Sequence, residues 1–324
     1  MSATRLSRIA YLQRGCHVAE TLSFDEAKKL HTLKGASVAF GVFDGVHLGH
    51  KFLIECAAEA AVASDVSLVV LTFDKDPDEL LRPLKVKKLL SNEERLDAIA
   101  ACGVDAIVVL PFTQSLAKMN PHDFMEYAFG KNTPSLLHVG YDFTFGYKAE
   151  GTLKDLEDWG RSKRMEVLGH QLKSRDQIPI SATRIRRLLQ AGKVSAAANL
   201  LGYPYSITGK VIRGRGDGAE FGFRTANINI DDEYKCIADG VYGGYVDVDG
   251  KTYKAAVSVG VSPMFVSTAT SNCEAHLIDF EGDIYGKNIT IRFETYLRPM
   301  MRFSNTEYLV KMVNDNIAWI NDNL

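Results

Sequence analysis

Short apolar runs alternate with helix-like segments from residue 36 to about residue 185. The runs are about four to eight residues long and rich in Val, Leu and Ile, which is typical of strands buried on both faces. They lie at 36–41 (ASVAFG), 66–73 (VSLVVLTF), 105–112 (DAIVVLPF) and 135–140 (SLLHVG). Strands that alternate with helices predict an α/β domain with a doubly wound parallel sheet.

The segments between these runs predict helices, and they read KFLIECAAEAAVAS, SNEERLDAIAACG and NPHDFMEYAFG. In the second segment, Ser91 and Glu94 have the spacing of a capping box, and Gly103 supplies a stop signal. Each pair of neighbouring strands in the chain is therefore expected to be joined by a helix.

After residue 203 the hydrophobic period changes from that of a helix to that of a strand. One alternating stretch surrounds Asp249-Gly250, a strong hairpin signal, and residues 274–294 alternate around a second Gly-rich turn. This pattern predicts a small antiparallel β-barrel or sandwich. The chain closes with a helix whose apolar stripe is expected to cover the sheet, formed by Tyr308, Leu309, Met312, Val313, Ile317 and Ile320.

The two halves are joined by RLLQAGKVSAAANLLGYP, which predicts two short helical pieces broken at Gly192 and closed by Gly202 and Pro204. A chain of 324 residues is about twice the length of a typical domain, which favours two domains. We therefore expect an N-terminal domain over 1–187, a helical linker over 188–202 and a C-terminal domain over 203–324.

Composition and charge restrict the classes of partner. Apolar residues make up 46% of the chain and charged residues 24%, as in an ordinary soluble globular protein. A formal net charge of -2 gives no global field for nucleic acid or an anionic membrane, so anions must be bound at local sites. We therefore expect small-molecule substrates, with no nucleic-acid or membrane partner.

The cysteines and the hydropathy profile indicate the compartment. Five widely separated cysteines without a C-x-x-C pair favour a reducing environment over disulfide or zinc chemistry. The N-terminal residues lack the apolar core of a signal peptide, and no window approaches a continuous membrane span. The sequence predicts a soluble cytoplasmic protein.

The stretch GVFDGVHLGHK places His47 and His50 between a predicted strand and a predicted helix. In an open parallel sheet, ligands bind at this edge, and a helix N-terminus favours an anion. Gly45 and Gly49 allow a close backbone approach. A phosphate site and a core position are both compatible with the pair, whereas a metal site would need a third ligand, and nothing nearby offers the Glu-x-x-His spacing of one.

A second candidate phosphate site lies in ISATRIR. Ser181 or Thr183 can cap the predicted helix, and Arg184 and Arg187 can hold a triphosphate as forks. A capped basic surface helix is the alternative. Two aspartates beside glycines, Asp44 and Asp142, can bind a ribose hydroxyl or stabilise their own turns, and the sequence does not separate these roles.

Three stretches together resemble one family. GVFDGVHLGH, HVGYDFTFGYKAEG and IPISATRIRRLL are similar to the adenylyltransferase motifs of the bifunctional bacterial riboflavin kinase and FMN adenylyltransferase (FAD synthetase) family. The resemblance implies a nucleotidyltransferase domain that transfers AMP from ATP to FMN, with His47, His50 and Arg184 as catalytic residues. It further implies that nucleotide and substrate are bound by Gly41, Phe43, Asp44, Gly49, Asp142, Ser181, Thr183 and Arg187.

The second half resembles the kinase half of the same family. GKVIRGRGDGAEFGFRTANINI has the family's glycine-rich stretch, which implies substrate binding at Gly214 and Gly216 and a magnesium site at Thr225 and Asn227. NCEAHLIDFEGDIYGK matches the strand that carries a general base, which implies this role for Glu274. YLRPMMRF resembles a segment near the flavin and makes Arg298 the polar candidate.

Glu274 has a second argument from the residues themselves. Removing the proton of the riboflavin hydroxyl requires a base. Strand alternation puts Glu274, His276, Ile278 and Phe280 on one face. A Glu on a mostly apolar face favours a functional role.

The kinase half also departs from the family. Arg224 replaces a proline that would restrain the backbone before the magnesium ligands. An amide and two hydroxyls are lost at Ser258, Val261 and Met264, and Ala219 replaces an arginine. In the first half, Asp76 stands for a histidine and Ala182 for a serine.

These observations support FAD synthesis from riboflavin, with ATP as co-substrate, Mg²⁺ as cofactor, and riboflavin, FMN and FAD as substrates and products. One alternative is an FMN adenylyltransferase whose kinase-like barrel has no activity. Two others remain: a non-catalytic flavin-binding or regulatory protein, and a cytidylyltransferase or pantetheine-type adenylyltransferase using the same H-x-G-H site.

Overall fold

The structure is a computed structural model that describes residues 19–81, 86–171, 173–175, 177–214, 223–231, 233–234, 236–260, 273–301, 303 and 305–324. The chain divides into two compact units. The first contains residues up to Val86 and Leu90–Ser181, and the second contains Lys87–Leu89 and Ala182–Leu324.

The first unit is a parallel sheet with helices. Its sheet strands are β1 (Glu20–Ser23), β2 (Ser37–Phe40), β3 (Leu68–Phe73), β4 (Ala106–Leu110), β5 (Leu136–Gly140) and β6 (Glu166–His170). Their order is β1-β4-β3-β2-β5-β6, and every described pairing is parallel. Its helices are α1 (Phe24–Leu30), α2 (Leu48–Ser64), α3 (Pro77–Leu81), α4 (Asn92–Ala100), α5 (Gln114–Ala117), α6 (Pro121–Phe129) and α7 (Leu153–Lys163). A small hairpin follows, with β7 (Ser174–Arg175) and β8 (Ile178–Pro179).

The doubly wound sheet is confirmed, and its inner strands lie within the four predicted runs. β2 and β3 are buried at every position, because helices cover both faces of the sheet. The predicted capping box also forms, since Ser91 Oγ accepts from Glu94 N at 3.1 Å and Glu94 Oε2 accepts from Ser91 N at 2.9 Å. β1 and β6, which the sequence did not predict, are the two edge strands.

A chain of hydrogen bonds crosses the buried part of this unit. Ser37 Oγ donates to the carbonyl of Ala57 in α2 at 2.8 Å, so it can accept from His138 Nε2 at 3.3 Å. His138 Nδ1 then accepts from His170 Nε2 at 2.9 Å. These partners assign the tautomers of both histidines. In this series of three hydrogen bonds, His138 donates through Nε2 and accepts through Nδ1. Because a protonated imidazole has no acceptor nitrogen, His138 must be neutral.

Acid is expected to destabilise the first unit through His138. Burial, and then the neighbouring His170, lower the pKa of His138 to about 4. A group whose pKa is depressed by folding contributes stability above its unfolded pKa of about 6.5, and that stability is lost as the pH falls towards the folded pKa. The first unit should therefore lose roughly 2 kcal/mol between pH 7 and pH 5 through this group.

Urea unfolding at the two pH values tests this expectation. One tryptophan lies in each unit, so a Trp319→Phe background leaves Trp159 to report the first unit by fluorescence. His138→Val should flatten the acid dependence, whereas the control His122→Gln, at an exposed position, should retain it. An unchanged acid dependence in His138→Val would contradict the assignment.

The second unit contains a closed antiparallel barrel. Its strands are β9 (Tyr205–Ile212), β10 (Ala226–Asn229), β11 (Gly240–Val248), β12 (Lys251–Val259), β13 (Cys273–Leu277) and β14 (Asn288–Arg298). They close in the order β10-β13-β12-β11-β14-β9. The predicted hairpin joins β11 to β12, with φ of 48° at Asp249 and 77° at Gly250, as a type I′ turn requires. β13 and β14, which flank the second Gly-rich turn, are not neighbours.

Helices α8 (Ala182–Gln190), α9 (Val194–Leu201) and α10 (Thr306–Asn323) complete the second unit. The C-terminal helix covers the barrel as expected: Lys254 Nζ donates to the Asn321 carbonyl at 3.0 Å and Tyr245 Oη to the Leu324 carbonyl at 2.7 Å. Tyr308, predicted in its apolar stripe, is 43% exposed. Within the described ranges, no helix has the length and apolarity needed to cross a membrane.

Candidate active sites

The histidine pair lies where β2 turns into α2. Phe43, buried and in the left-handed region with φ of 58°, starts the turn, and Asp44–Val46 form a single 3-10 turn. Gly45, at φ of 73°, has a conformation that side chains rarely adopt. His47 is then the N-cap of α2, a helix of 17 residues. The turn therefore places both histidines at the N-terminus of a long helix, as predicted.

The two imidazoles are held against each other. His47 Nδ1 accepts a hydrogen bond from His50 N at 3.3 Å, and the rings stack with centroids 3.6 Å apart and planes 15° apart. Because Nδ1 accepts, the proton of a neutral His47 lies on Nε2, where it can be donated to a phosphate oxygen. A Cβ at Gly49 would lie 3.1 Å from His47 Nδ1, so a glycine allows this packing.

His50 is neutral at pH 7. Its pKa is lowered well below 6.5, first by burial and then by the charges of His47 and Arg95. The ring of Phe43 meets the His50 ring edge-on, with centroids 5.2 Å apart. The buried Nδ1 of His50 has no hydrogen-bond partner among the described residues. A nearby anion would favour the protonated ring, because opposite charge raises the pKa of an imidazole.

The metal alternative receives no support from this arrangement. Within the ranges that the structure describes, no three His, Cys, Asp or Glu residues are grouped so that they could hold a metal ion. The rings of His47 and His50 stack instead of converging on one point. The phosphate interpretation agrees better with their place at a helix N-terminus.

The other predicted residues of this edge differ in burial. Asp44 is buried, whereas Asp142, which follows the carboxyl end of β5, is exposed. A Cβ at Gly140 would lie 2.9 Å from Asp142 Oδ1, and one at Gly41 would lie 3.4 Å from the Phe43 ring. Gly41, Phe43 and Asp44 thus form one turn with the histidine pair, and Asp142 follows β5, the neighbour of β2 in the sheet.

Arg95 on α4 is a residue that the sequence did not indicate. Its guanidinium is buried and donates to the Val42 carbonyl at 2.8 Å, to Thr72 Oγ1 at 2.7 Å and to the Phe73 carbonyl at 2.7 Å. Burial lowers the pKa of Arg95, while nearby carboxylates, Asp44 first, act in the opposite direction. Arg95 therefore ties the carboxyl ends of β2 and β3 together directly before the turn that carries the histidines.

The sequence contains a weak signal for this role. Arg95 precedes the buried Ile99 by four residues, so both lie on the same face of α4. An arginine that shares a face with a buried isoleucine is a candidate for a buried ion or hydrogen-bond cluster. From the sequence alone, Arg95 is indistinguishable from the other charged residues of an amphipathic helix.

Replacing Arg95 with Met should lower the free energy of unfolding of the first unit by about 3 kcal/mol, because buried acceptors lose a charged donor. Arg95→Lys should recover only part of this loss, since an ammonium cannot reproduce the planar fork. Urea unfolding followed by Trp159 fluorescence measures both. The control is Arg161→Met, at an exposed arginine paired with Asp158 at 3.1 Å, and a loss no larger than the control would contradict the role of Arg95.

The second predicted phosphate site lies at the start of α8, which begins directly after Ser181. The helix buries Ile185 and Leu189 on one face. Arg184 lies beside that face and is half-buried, whereas Thr183 and Arg187 are exposed. This helix belongs to the second unit, whereas the histidine pair belongs to the first.

The predicted kinase residues form one row across the barrel. Asn227 of β10 is directly opposite Glu274 of β13, which is opposite Ser258 of β12. The row continues through Val241 of β11 to Arg298 of β14. Residues directly opposite have Cβ atoms about 5 Å apart, so a ligand can contact several of them. Three predicted residues, Asn227, Glu274 and Arg298, are thus brought onto one face by the strand register.

Gly214 and Thr225 extend this region. A Cβ at Gly214 would overlap the side-chain amide of Asn227, so the backbone at Gly214 packs directly on Asn227. Thr225 immediately precedes β10 and is half-buried. Gly216 lies outside the described residues, as do three of the departures from the family, Ala219, Val261 and Met264.

Arg298 has a partly satisfied guanidinium. Nη1 donates to the Pro299 carbonyl at 3.2 Å, the group lies 5.5 Å from the centre of the Phe303 ring, and the buried Nε has no partner among the described residues. Burial lowers the pKa of Arg298, opposed by Tyr308 and then Tyr296. An arginine among aromatic rings, whose Nε lacks a partner within the part of the chain that the structure describes, suits a flat, polar-edged ring system such as a flavin.

The environment expected for Glu274 needs correction. β13 ends at Leu277, so Ile278 and Phe280 do not belong to the strand. The face of Glu274 is half-exposed and polar, whereas the alternate residues of β13 are buried. The prediction of a mostly apolar face is wrong, because the strand ends before the apolar residues that suggested it.

The geometry defines a nucleotidyltransferase-type α/β unit, with paired histidines at a helix N-terminus, in one chain with a closed barrel. Sequence comparison agrees: the FAD synthetase family model matches residues 29–184, and the riboflavin kinase family model matches residues 201–324. The chain belongs to the bifunctional riboflavin kinase/FMN adenylyltransferase family.

Individual relatives cover most of the chain. The bifunctional riboflavin kinase/FMN adenylyltransferase of Listeria monocytogenes is 34% identical over 84% of this chain and 87% of its own length. That of Bacillus subtilis is 32% identical over 85% of this chain and 88% of its own length. A crystal structure described as a macrolide-efflux protein from Streptococcus pneumoniae has a TM-score of 0.84 at 28% identity, covering 94% of this chain and 99% of that one.

Proposed function

We propose that this protein makes FAD from riboflavin in two ATP-dependent steps. The barrel phosphorylates riboflavin to FMN, and the α/β unit transfers AMP from ATP to FMN with release of pyrophosphate. Membership of the bifunctional family supports both activities. The observation that carries the transferase is the stacked His47–His50 pair at the N-terminus of a 17-residue helix. We assign the transferase to residues 1–187, the linker to 188–202 and the kinase to 203–324.

In the transferase step, FMN already carries an ionised phosphate and needs no base. The protein has to place that phosphate in line with the α-phosphate of ATP and stabilise the negative charge that develops there. His47 Nε2, His50 and the positive N-terminal end of α2 supply donors and favourable charge for this phosphate. Arg184, with Ser181, Thr183 and Arg187 beside it, binds the remaining phosphates. Asp44 and Asp142 bind ribose hydroxyls.

In the kinase step, the ribityl hydroxyl of riboflavin must lose a proton as its oxygen attacks the γ-phosphate of ATP, whose bond to ADP breaks so that ADP leaves. Glu274 accepts this proton, and Arg298 binds the flavin beside the aromatic residues of its segment. The oxygen atoms of Thr225 and Asn227 suit Mg²⁺, which favours few protein ligands together with waters and phosphates. Thr225 and Asn227 would hold the ion, which would supply positive charge beside the ATP phosphates.

The substrates and the compartment complete the proposal. ATP, riboflavin and FMN are the small-molecule partners. We assign the protein to the cytoplasm, because five widely separated cysteines without a C-x-x-C pair favour a reducing compartment.

One experiment tests both activities. Purified protein is incubated with ATP, Mg²⁺ and either riboflavin or FMN, and the flavins are separated and quantified. We expect FMN and FAD from riboflavin, and FAD from FMN. Absence of FAD in both incubations would refute the transferase, and FAD from FMN with neither FMN nor FAD from riboflavin would refute the kinase.

A further inference from the structure

The backbone before the proposed magnesium ligands is held by a side chain of the neighbouring strand. Arg224 occupies the position directly before Thr225, so no proline ring restrains φ there. Phe223 and Thr225 are half-exposed and Arg224 is exposed, and these three residues lead directly into the first residue of β10. The position of Thr225 therefore depends on contacts that other residues make with this segment.

His276 makes two such contacts. Its Nδ1 lies 2.9 Å from the carbonyl oxygen of Arg224, and its ring meets the ring of Phe223 edge-on, with centroids 5.8 Å apart. A carbonyl can only accept, so Nδ1 carries the proton and donates. His276 thus contacts two consecutive residues immediately before Thr225.

The strand register explains why His276 is in reach. Asn227 is opposite Glu274 and Ala226 is opposite Ala275, so one further step brings Thr225 opposite His276. On its other side His276 is opposite Ala256, whose methyl group leaves room for the imidazole. His276 also shares the face of Glu274, two residues away.

We propose that His276 is a positioning residue of the riboflavin kinase reaction. Its hydrogen bond and ring contact hold the backbone at Phe223 and Arg224, which fixes where Thr225 and Asn227 present their oxygen atoms. The side chain replaces the restraint that a proline at position 224 supplies through its ring. This inference rests on the proposed kinase function and assigns no chemical step to His276.

Three variants separate the two contacts. His276→Asn keeps a donor near the position of Nδ1 and loses the ring, His276→Phe keeps the ring and loses the donor, and His276→Ala loses both. Supporting residues of this kind typically change metal affinity by about 10- to 100-fold. We expect His276→Ala to raise the Mg²⁺ concentration for half-maximal FMN formation by about tenfold or more, with kcat at saturating Mg²⁺ changed less. Asn and Phe should each recover part of the loss.

Two controls isolate the effect. Thr208→Ala removes an exposed cross-strand hydrogen bond, Thr208 Oγ1 to Thr290 Oγ1 at 3.0 Å, and should leave the Mg²⁺ dependence unchanged. Arg224→Pro introduced into His276→Ala should restore much of the Mg²⁺ affinity, because the ring fixes φ without the histidine. Wild-type Mg²⁺ dependence in His276→Ala, or no recovery in the double variant, would overturn the proposal.

A second measurement does not depend on kinase activity. Hydrogen exchange of peptides covering residues 223–229 should be faster in His276→Ala than in the wild type, and should be slowed again by the added proline. Unchanged exchange would refute the role of His276 even if the kinase is active. A wild-type protein that makes no FMN while His276→Ala exchanges faster would refute the proposed kinase and leave the positioning contact established.

Discussion

Replacing His47 with alanine is expected to lower the rate of FAD formation from FMN by at least about a hundredfold, because a preorganised donor to the developing charge is lost. Initial rates at saturating ATP and FMN measure this loss. His50→Ala should give a loss of similar size, since the two rings stack at 3.6 Å and one fixes the other. FMN formation from riboflavin should remain within about twofold of wild type, because Glu274 and Asn227 lie in the barrel.

The structure adds a complication that a matched variant resolves. His47 is also the N-cap of α2, and losing a cap costs about 1 kcal/mol of stability. Asparagine is a good N-cap that can accept from His50 N, but its short side chain puts no donor at the position of the imidazole Nε2. His47→Asn should therefore keep stability and still lose activity. Recovery of the wild-type rate in His47→Asn would show that only the cap matters.

The inner strands of the first unit were predictable, and the edges were not. β2 and β3 are buried at every residue and appear in the sequence as unbroken apolar runs. The edge strands β1 and β6 have at most one buried residue each among exposed and half-exposed ones. Because an edge strand has a partner on one side only, its residues do not need the apolar pattern that reveals a strand.

The barrel shows a different limit. Alternation predicted strands around Asp249-Gly250, whose pairing is local and set by the turn. It did not predict that β13 pairs with β10 and β12, because these partners are brought together by barrel closure. The row that joins Asn227, Glu274 and Ser258 depends on that closure. Family resemblance indicated Asn227 and Glu274 separately, and the register shows that they are direct neighbours.

The histidine pair was predicted from its place between strand and helix, but its state was not. Stacking of the rings, the acceptor role of His47 Nδ1 and the lowered pKa of His50 depend on burial, which a sequence motif does not specify. Arg95 is also a matter of tertiary structure, since its three acceptors come from the ends of two strands. The sequence could therefore predict which residue types form the site. It could not predict the protonation state of those residues.

Glu274→Gln is expected to lower FMN formation from riboflavin by about a hundred- to ten-thousandfold, the range typical of removing a general base. Glutamine keeps the size of the side chain and its ability to accept hydrogen bonds, beside the same neighbours in the row, Asn227 and Ser258. It cannot take the proton of the riboflavin hydroxyl. FAD formation from supplied FMN should stay at the wild-type rate, which serves as an internal measure of intact protein.

The matched control is Glu281→Gln, which changes an exposed glutamate in the turn after β13 and should leave FMN formation unchanged. Equal activity of Glu274→Gln and wild type would remove Glu274 from the mechanism. The departure at Arg224 provides a further comparison, since a wild-type rate limited by the position of the segment before Thr225 should rise in Arg224→Pro. If the rate is limited by proton removal, Arg224→Pro should leave kcat unchanged while Glu274→Gln still lowers it strongly, and the two variants together show which step sets the rate of FMN formation.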